Sequence, residues 1–321
     1  MHLFNKILCV FIMAILSCYC SVTYAVEVLG LDYALQQTYI ACVGIDDELG
    51  GLKKMAGINT AVTAVGIGLG GGATAVGIAK QKTDKEIAKL EELLQEMEEL
   101  SAKYTGTDVT DKQRESFLEE YMNAYDDVIK DNDAYAEKID VLTEKSKTLG
   151  NWRTGLLIGN TTTNIASAII SSKTKNNHDL QNTIDNCILN VKQLGNAIAA
   201  ARMEGQDTSE AQAIYEACRQ YEYVDVKSIN KHGNSVTIAS SIGAGIGGIG
   251  AITSGIANSD NVRNDNSDTG KTKEKNLNTA SNVFAIGATT ASGTATVLNA
   301  MQISAIKKIS KVSEACTEVL K

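Results

Sequence analysis

Proline is absent from this chain of 321 residues, where average usage of about 5% would supply roughly 16. Proline interrupts helix interiors and marks turns, so its absence is what a few very long helices leave behind. Aromatic residues are also scarce, with one Trp and four Phe. A core must then be built from Ala, Val, Ile, Leu, Gly and Thr, which favours close approach between helices.

Histidine is equally sparse. Beyond residue 25 only His178 and His232 remain, and neither stands at ligand spacing from another strong metal ligand. No Ser or Cys nucleophile comes with a recognisable base, and carboxylates are too abundant for one acid/base pair to single itself out. The chain reads as non-enzymatic, with no metal and no cofactor. A net charge of -8, a pI near 5.1 and the lack of a basic aromatic patch oppose binding to a nucleic acid.

Four long stretches lack Asp, Glu, Lys and Arg altogether: residues 55–79, 154–172, 232–259 and 276–306. Each is rich in Gly, Ala, Ser and Thr and carries an Asn followed by Thr or Ser, at Asn59, Asn160, Asn234 and Asn278. Within them Gly66-Ile67-Gly68-Leu69-Gly70-Gly71 and Gly243-Ala244-Gly245-Ile246-Gly247-Gly248 match the spacing of a dinucleotide-binding loop. That loop needs a strand before it and an acidic residue on a second strand, and neither context is present. We read Gly66 with Gly70, and Gly243 with Gly247, as small-xxx-small positions where helix backbones approach closely. Thr269-Gly270-Lys271-Thr272 ends like a P-loop but has Asp265 where the earlier glycine belongs. Asp131-Asn132-Asp133 begins like a calcium loop, yet Ala136 and Leu142 stand where Gly and Glu are needed.

The first 25 residues read as a secretory signal: Lys6, an apolar run from Ile7 to about Leu16, and a cleavage site at Thr23-Tyr24-Ala25. Ile15-Leu16-Ser17-Cys18 also resembles a lipoprotein cleavage box, which would leave a lipid on Cys18. The expected location is therefore periplasmic or secreted, with membrane association as a variant. Past residue 25 the cysteines are Cys42, Cys187, Cys218 and Cys316, an even number suited to disulfides in an exported protein.

These cysteines set the register of an internal duplication. Cys42 precedes Asn59 by 17 residues and Cys218 precedes Asn234 by 16, while Cys187 follows Gly159 by 28 and Cys316 follows Gly287 by 29. Leu156-Leu157-Ile158-Gly159 also echoes Phe284-Ala285-Ile286-Gly287. Two copies of one helical hairpin follow, each with a Cys near both outer ends, and the rise per residue favours Cys42 with Cys187 and Cys218 with Cys316.

The copies differ in what joins their uncharged helices: residues 260–275 in the second, residues 80–153 in the first. In that insertion Ile87, Leu90, Leu94, Met97 and Tyr104 fall on three-four spacing, with Ser101 as a polar member. Leu118, Tyr121, Tyr125, Val128, Tyr135, Ile139, Leu142 and Leu149 do the same, with Asn132 and Ser146 filling polar positions. This predicts an antiparallel coiled-coil arm that turns near residue 107, with Gly106 at the tip. Residues 81–150 hold 19 acidic and 10 basic side chains, a net of -9, which is essentially all the excess charge.

The expected fold is all-α: a bundle of two duplicated helical hairpins, the first extended into the arm. The expected divisions are a signal peptide at 1–25, a bundle at 26–80 plus 150–321, and the arm at 81–149. The first functional expectation is an exported structural or interaction protein, in which a disulfide-stapled base presents the acidic arm to a protein partner or to a second copy. The alternative is a membrane-inserting glycine-rich helical protein, pore-forming or envelope-associated, since each uncharged stretch is long enough to span. The Asn, Ser and Thr of these stretches, as at Asn234, Ser235, Thr237, Ser240 and Ser241, favour the first reading by suggesting a bundle with one wet face.

Overall fold

The structure is a computed structural model that describes residues 30–105, 110, 112, 115, 116, 119, 132–175, 178–265 and 267–321. The signal-like segment, the turn near residue 107 and the seam positions Leu118, Tyr121, Tyr125 and Val128 lie outside the described residues. Among the described residues the regular structure is entirely helical, with no strand, and long helices pack against one another. In chain order they are α1 (Leu31–Val43), α2 (Ile45–Thr105), α3 (Asn132–Lys175), α4 (His178–Met203), α5 (Ser209–Cys218), a 3-10 turn at Arg219–Tyr223, α6 (Val226–Ala257), α7 (Asp260–Arg263) and α8 (Asp268–Leu320).

The two halves share an order of elements. A short helix ending at or near a cysteine is followed by a brief break, a long uncharged helix, and a helical return. The break is Gly44 in the first half and the 3-10 turn in the second. The return differs: the first half hands over from α3 to α4, whereas α8 runs uninterrupted from Asp268 to Leu320.

The chain divides into two compact units. One unit comprises Met1–Lys53, Asn177–Lys227 and Ser304–Lys321. Its core is that of an ordinary water-soluble protein: Ile45, Leu49, Leu180, Ile184, Leu194, Ile214, Ile306 and Ile309 are all buried. Fully burying such side chains stabilises by about 1.5–3 kcal/mol each. α1 lies along α4, where Thr38 Oγ1 donates to Asn190 O at 3.3 Å. Cys42 is bonded to Cys187 and Cys218 to Cys316, the pairing read from the register, and all four are buried. Past the end of α4, Gly205 takes φ 78°. Gln206 N then donates back to Ala201 O at 2.9 Å, a helix end that glycine makes without strain.

The other unit comprises Lys54–Asn176 and Ser228–Ile303, so the described arm residues belong with the uncharged helices. Here four helical segments run alternately up and down. Asn59 meets Ser171, Gly66 meets Thr163 and Gly70 meets Asn160, and Ser146 meets Asp84. One number rises as the other falls, so α2 and α3 are antiparallel. Gly243 beside Ala291, Gly247 beside Ala288 and Gly250 beside Phe284 establish the same for α6 and α8.

Buried positions in this unit keep a three-four spacing along each helix. On α2 they are Ala56, Asn59, Thr63, Gly66, Gly70, Ala73, Gly77 and Lys80. On α3 they are Arg153, Leu157, Asn160, Asn164, Ser167, Ser171 and Thr174. Comparable series run from Ile229 to Ala257 on α6 and from Asn278 to Gln302 on α8. This is the seam spacing of helices packed at shallow angles, carried by small and polar residues. Towards the arm the seam turns aliphatic: Met97 and Leu142 are buried, with Ile87, Leu90, Leu94, Tyr135, Ile139 and Leu149 partly so. Lys138 Nζ stands 3.4 Å from Glu86 Oε1 across it.

Candidate functional site

What a side chain faces in this second unit is the reverse of the usual arrangement. Within residues 55–79, 154–172, 232–259 and 276–303 no isoleucine is buried. Large apolar side chains point outward on every helix. They are Met55, Ile58, Val65 and Ile78 on α2; Trp152, Ile158, Ile165 and Ile169 on α3; Ile238, Ile242, Ile249, Ile252 and Ile256 on α6; Val283, Ile286, Val297 and Met301 on α8. Exposure reaches 66% at Ile252 and 65% at Trp152. The interior instead holds Gly, Ala, Ser, Thr and Asn, with Leu157 and Val236 as its larger aliphatics. Of the polar residues expected on one wet face, Asn234 and Ser241 are exposed, Ser235 and Thr237 are half-buried and Ser240 is buried. Ser240 is turned fully inward while Ile238 and Ile242 beside it face out, because the three-four seam selects the small residues that let backbones approach.

The interior is hydrogen-bonded in layers. In one, Asn59 Nδ2 donates to Ser171 Oγ at 2.6 Å and to Asn299 Oδ1 at 3.0 Å. In the next, Asn160 Nδ2 donates to the Gly66 carbonyl, and Asn164 Nδ2 donates to Asn160 Oδ1 and to Ser292 Oγ, both at 3.0 Å. Ser167 and Ser240 pair at 2.8 Å, Thr154 Oγ1 donates to Ser254 Oγ at 2.9 Å, and Ser281 Oγ donates to Gly250 O at 2.9 Å.

The four glycines singled out in the sequence lie against these layers. An added Cβ would come within 2.8 Å of Thr163 Oγ1 at Gly66, 2.9 Å of Asn164 Cγ at Gly243 and 2.8 Å of Thr161 Oγ1 at Gly247, and would collide with Thr289 at Gly70. Real Cβ atoms essentially never sit so close, so the neighbours would have to shift.

One end of the unit closes in charge that the sequence reading did not place. Lys80, 1% exposed, holds Asp84 Oδ2 at 2.8 Å and Glu274 Oε1 at 3.0 Å. Arg153, fully buried, donates through Nη2 to Asn278 O at 2.9 Å. A buried ion is retained where it is paired and hydrogen-bonded, as Lys80 is. The signal for both was available, since Lys80 and Arg153 continue the three-four series of their helices.

Several outward hydroxyls are satisfied locally, whereas Asn234 and Ser241 are exposed on α6. Thr162, Thr253, Thr290 and Thr294 each donate to the carbonyl four residues earlier, at 2.7–3.0 Å, and Ser172 donates to Ile169 O at 3.1 Å. A hydroxyl bonded to its own helix presents its carbon atoms outward.

Among the described residues no group of three His, Cys, Asp or Glu could hold a metal ion. Lys271 of the P-loop-like run is ion-paired to Glu91 at 2.9 Å, and Gly270 packs on Asp265. The open groove lined by Asp268, Thr269, Thr272, Lys273, Asn276, Leu277 and Ala280 contains no nucleophile with a base. The chain matches no family model, no curated protein and no solved structure.

Proposed function

We propose that the uncharged helical stretches, residues 55–79, 154–172, 232–259 and 276–303, are embedded in a lipid bilayer. In this reading they form an envelope-associated anchor that carries the acidic arm. The observation that carries the reading is the inversion: aliphatic side chains outside, hydrogen-bonded Asn, Ser and Thr inside. In water that arrangement forgoes most of the hydrophobic stabilisation of folding. In lipid it is the favoured one, because tails solvate the isoleucines while small residues and interhelical hydrogen bonds hold the helices together.

The dimensions support it. From Ile58 to Ile78 is about 30 Å, and from Ile238 to Ile256 about 27 Å, at 1.5 Å per residue. A bilayer hydrocarbon core is about 30 Å thick. Lysines flank the apolar span at both ends of α2, at Lys53 and Lys54 and at Lys80 and Lys82. Trp152 stands exposed at the end of the span on α3, a common position for an interfacial anchor.

Two stretches, within Leu31–Glu99 and Ser209–Ala257, are long and apolar enough to cross a membrane, and only 28% and 33% of those windows are buried. The core helix of a soluble protein would be mostly buried. The stretches on α3 and α8 are diluted by Thr, Ser and Asn, most of which turn inward or bond their own helix. Side chains fill the interior, so we read an anchor or scaffold and not an open pore.

The test is retention. The processed protein should remain in the membrane pellet through an alkaline carbonate wash. Replacing Ile242 and Ile249 together with Asp should move it to the wash. Release of the unaltered protein by carbonate would overturn the reading and return the search to a soluble partner for the arm.

A further inference from the structure

Resting on the membrane reading, we infer that the protein spans the bilayer with both disulfides on one side and the acidic arm on the other, so that it links an oxidising compartment to the compartment across the membrane. Chain order carries the argument. Cys42 precedes the first uncharged stretch, Cys187 and Cys218 lie between the second and third, and Cys316 follows the fourth. Four crossings therefore place all four cysteines on one face. The arm, between the first and second stretches, and residues 260–275, between the third and fourth, fall on the opposite face.

The disulfides constrain this independently of hydropathy. Cys42 bonds Cys187, so residues 55–79 and 154–172 must both cross or both fail to cross, since a single crossing would leave the two sulfurs on opposite sides of the membrane. The Cys218–Cys316 bond imposes the same condition on residues 232–259 and 276–306. The buried polar layers join the two pairs into one assembly, through Asn59 with Asn299 and through Ser167 with Ser240. All four stretches then cross together.

Which face is which follows from redox chemistry and not from charge. Within 15 residues of the stretch ends, Lys and Arg number 11 on the cysteine face and 11 on the arm face, so the positive-inside bias is silent. Disulfides persist where the compartment is oxidising. That assigns the cysteine face to the exterior or periplasmic side. The arm, with its net charge of -9 over residues 81–150, then offers its carboxylates on the far side.

The experiment uses the full chain with Glu96→Cys on the arm and Asp207→Cys in the loop before α5 in the same molecule; both positions are exposed. Sealed membrane vesicles from expressing cells are treated with a bulky, membrane-impermeant maleimide, with the parent chain as control. Each molecule should gain one tag, whatever the orientation of its vesicle, and two after detergent. In vesicles sealed with the exterior face outward, the single tag should be on Asp207→Cys. Molecules carrying two tags before detergent would put both sites on one face and overturn the inference. If they also resist carbonate, sidedness alone has failed and the embedded bundle stands; if carbonate releases them, the membrane reading has failed with it. A single tag on Glu96→Cys in exterior-out vesicles would reverse the assignment of compartments and overturn it equally.

Discussion

A buried Tyr221 shows how ordinary the disulfide-bearing unit is beside its neighbour. Its ring is 1% exposed, and burial pushes its phenol from 10.0 up to about 12. A folded-state value above the unfolded one means that the neutral phenol is the form the fold prefers. The associated stability is complete below pH 10 and is lost as pH rises towards about 12. Replacing Tyr221 with Phe should flatten that alkaline decline, as followed by denaturant unfolding at a series of pH values. An unchanged slope would mean that another group titrates there. At the same scale the second unit is governed by size: Gly66, Gly70, Gly243 and Gly247 stand where even a methyl group meets a neighbour.

Helices were the level most legible in the sequence. Missing proline and long uncharged stretches imply long helices, and cysteine register implies two hairpins with the disulfide pairing found. What was not legible is which face of each uncharged helix turns inward. Asn160, Asn164 and Ser167 read as water-facing if hydropathy alone is weighed. They are interior because Gly, Ser and Asn share one three-four series while Ile158, Ile165 and Ile169 share another. The phase of the small residues through residues 150–175 marks the seam; apolar positions on the same spacing do not.

The arm obeys the conventional rule, with Leu94 partly buried and Leu142 buried on its seam. Replacing both with Asp should remove the helical signal of the arm, measured by circular dichroism, while the uncharged bundle keeps its own. Simultaneous loss of all helicity would mean that arm and bundle fold as one cooperative element.

At the level of the whole molecule, the cross-links close long loops, with sequence separations of 145 and 98 residues. In the chain-entropy account a loop of about 100 residues is worth about 4.7 kcal/mol. Replacing Cys218 and Cys316 with Ala should therefore lower unfolding stability by about 2–5 kcal/mol, read from the denaturant midpoint, while Cys42 and Cys187 stay bonded on non-reducing peptide maps. Retained stability would show that α8 is held without its bond.

The inverted interior also sets which mutations such a chain tolerates. In most proteins the surface accepts almost any polar residue and the core accepts any apolar residue of similar bulk. Here the outer positions, such as Ile158 and Ile249, accept exchange among Ile, Val, Leu and Phe without repacking anything. The inner ones face a ceiling on volume wherever two backbones meet, below that of alanine at Gly66, Gly70, Gly243 and Gly247. Drift in such a lineage would therefore blur the aliphatic residues into one another while leaving the pattern of small ones intact, so that relatives would be recognised by where nothing large is allowed.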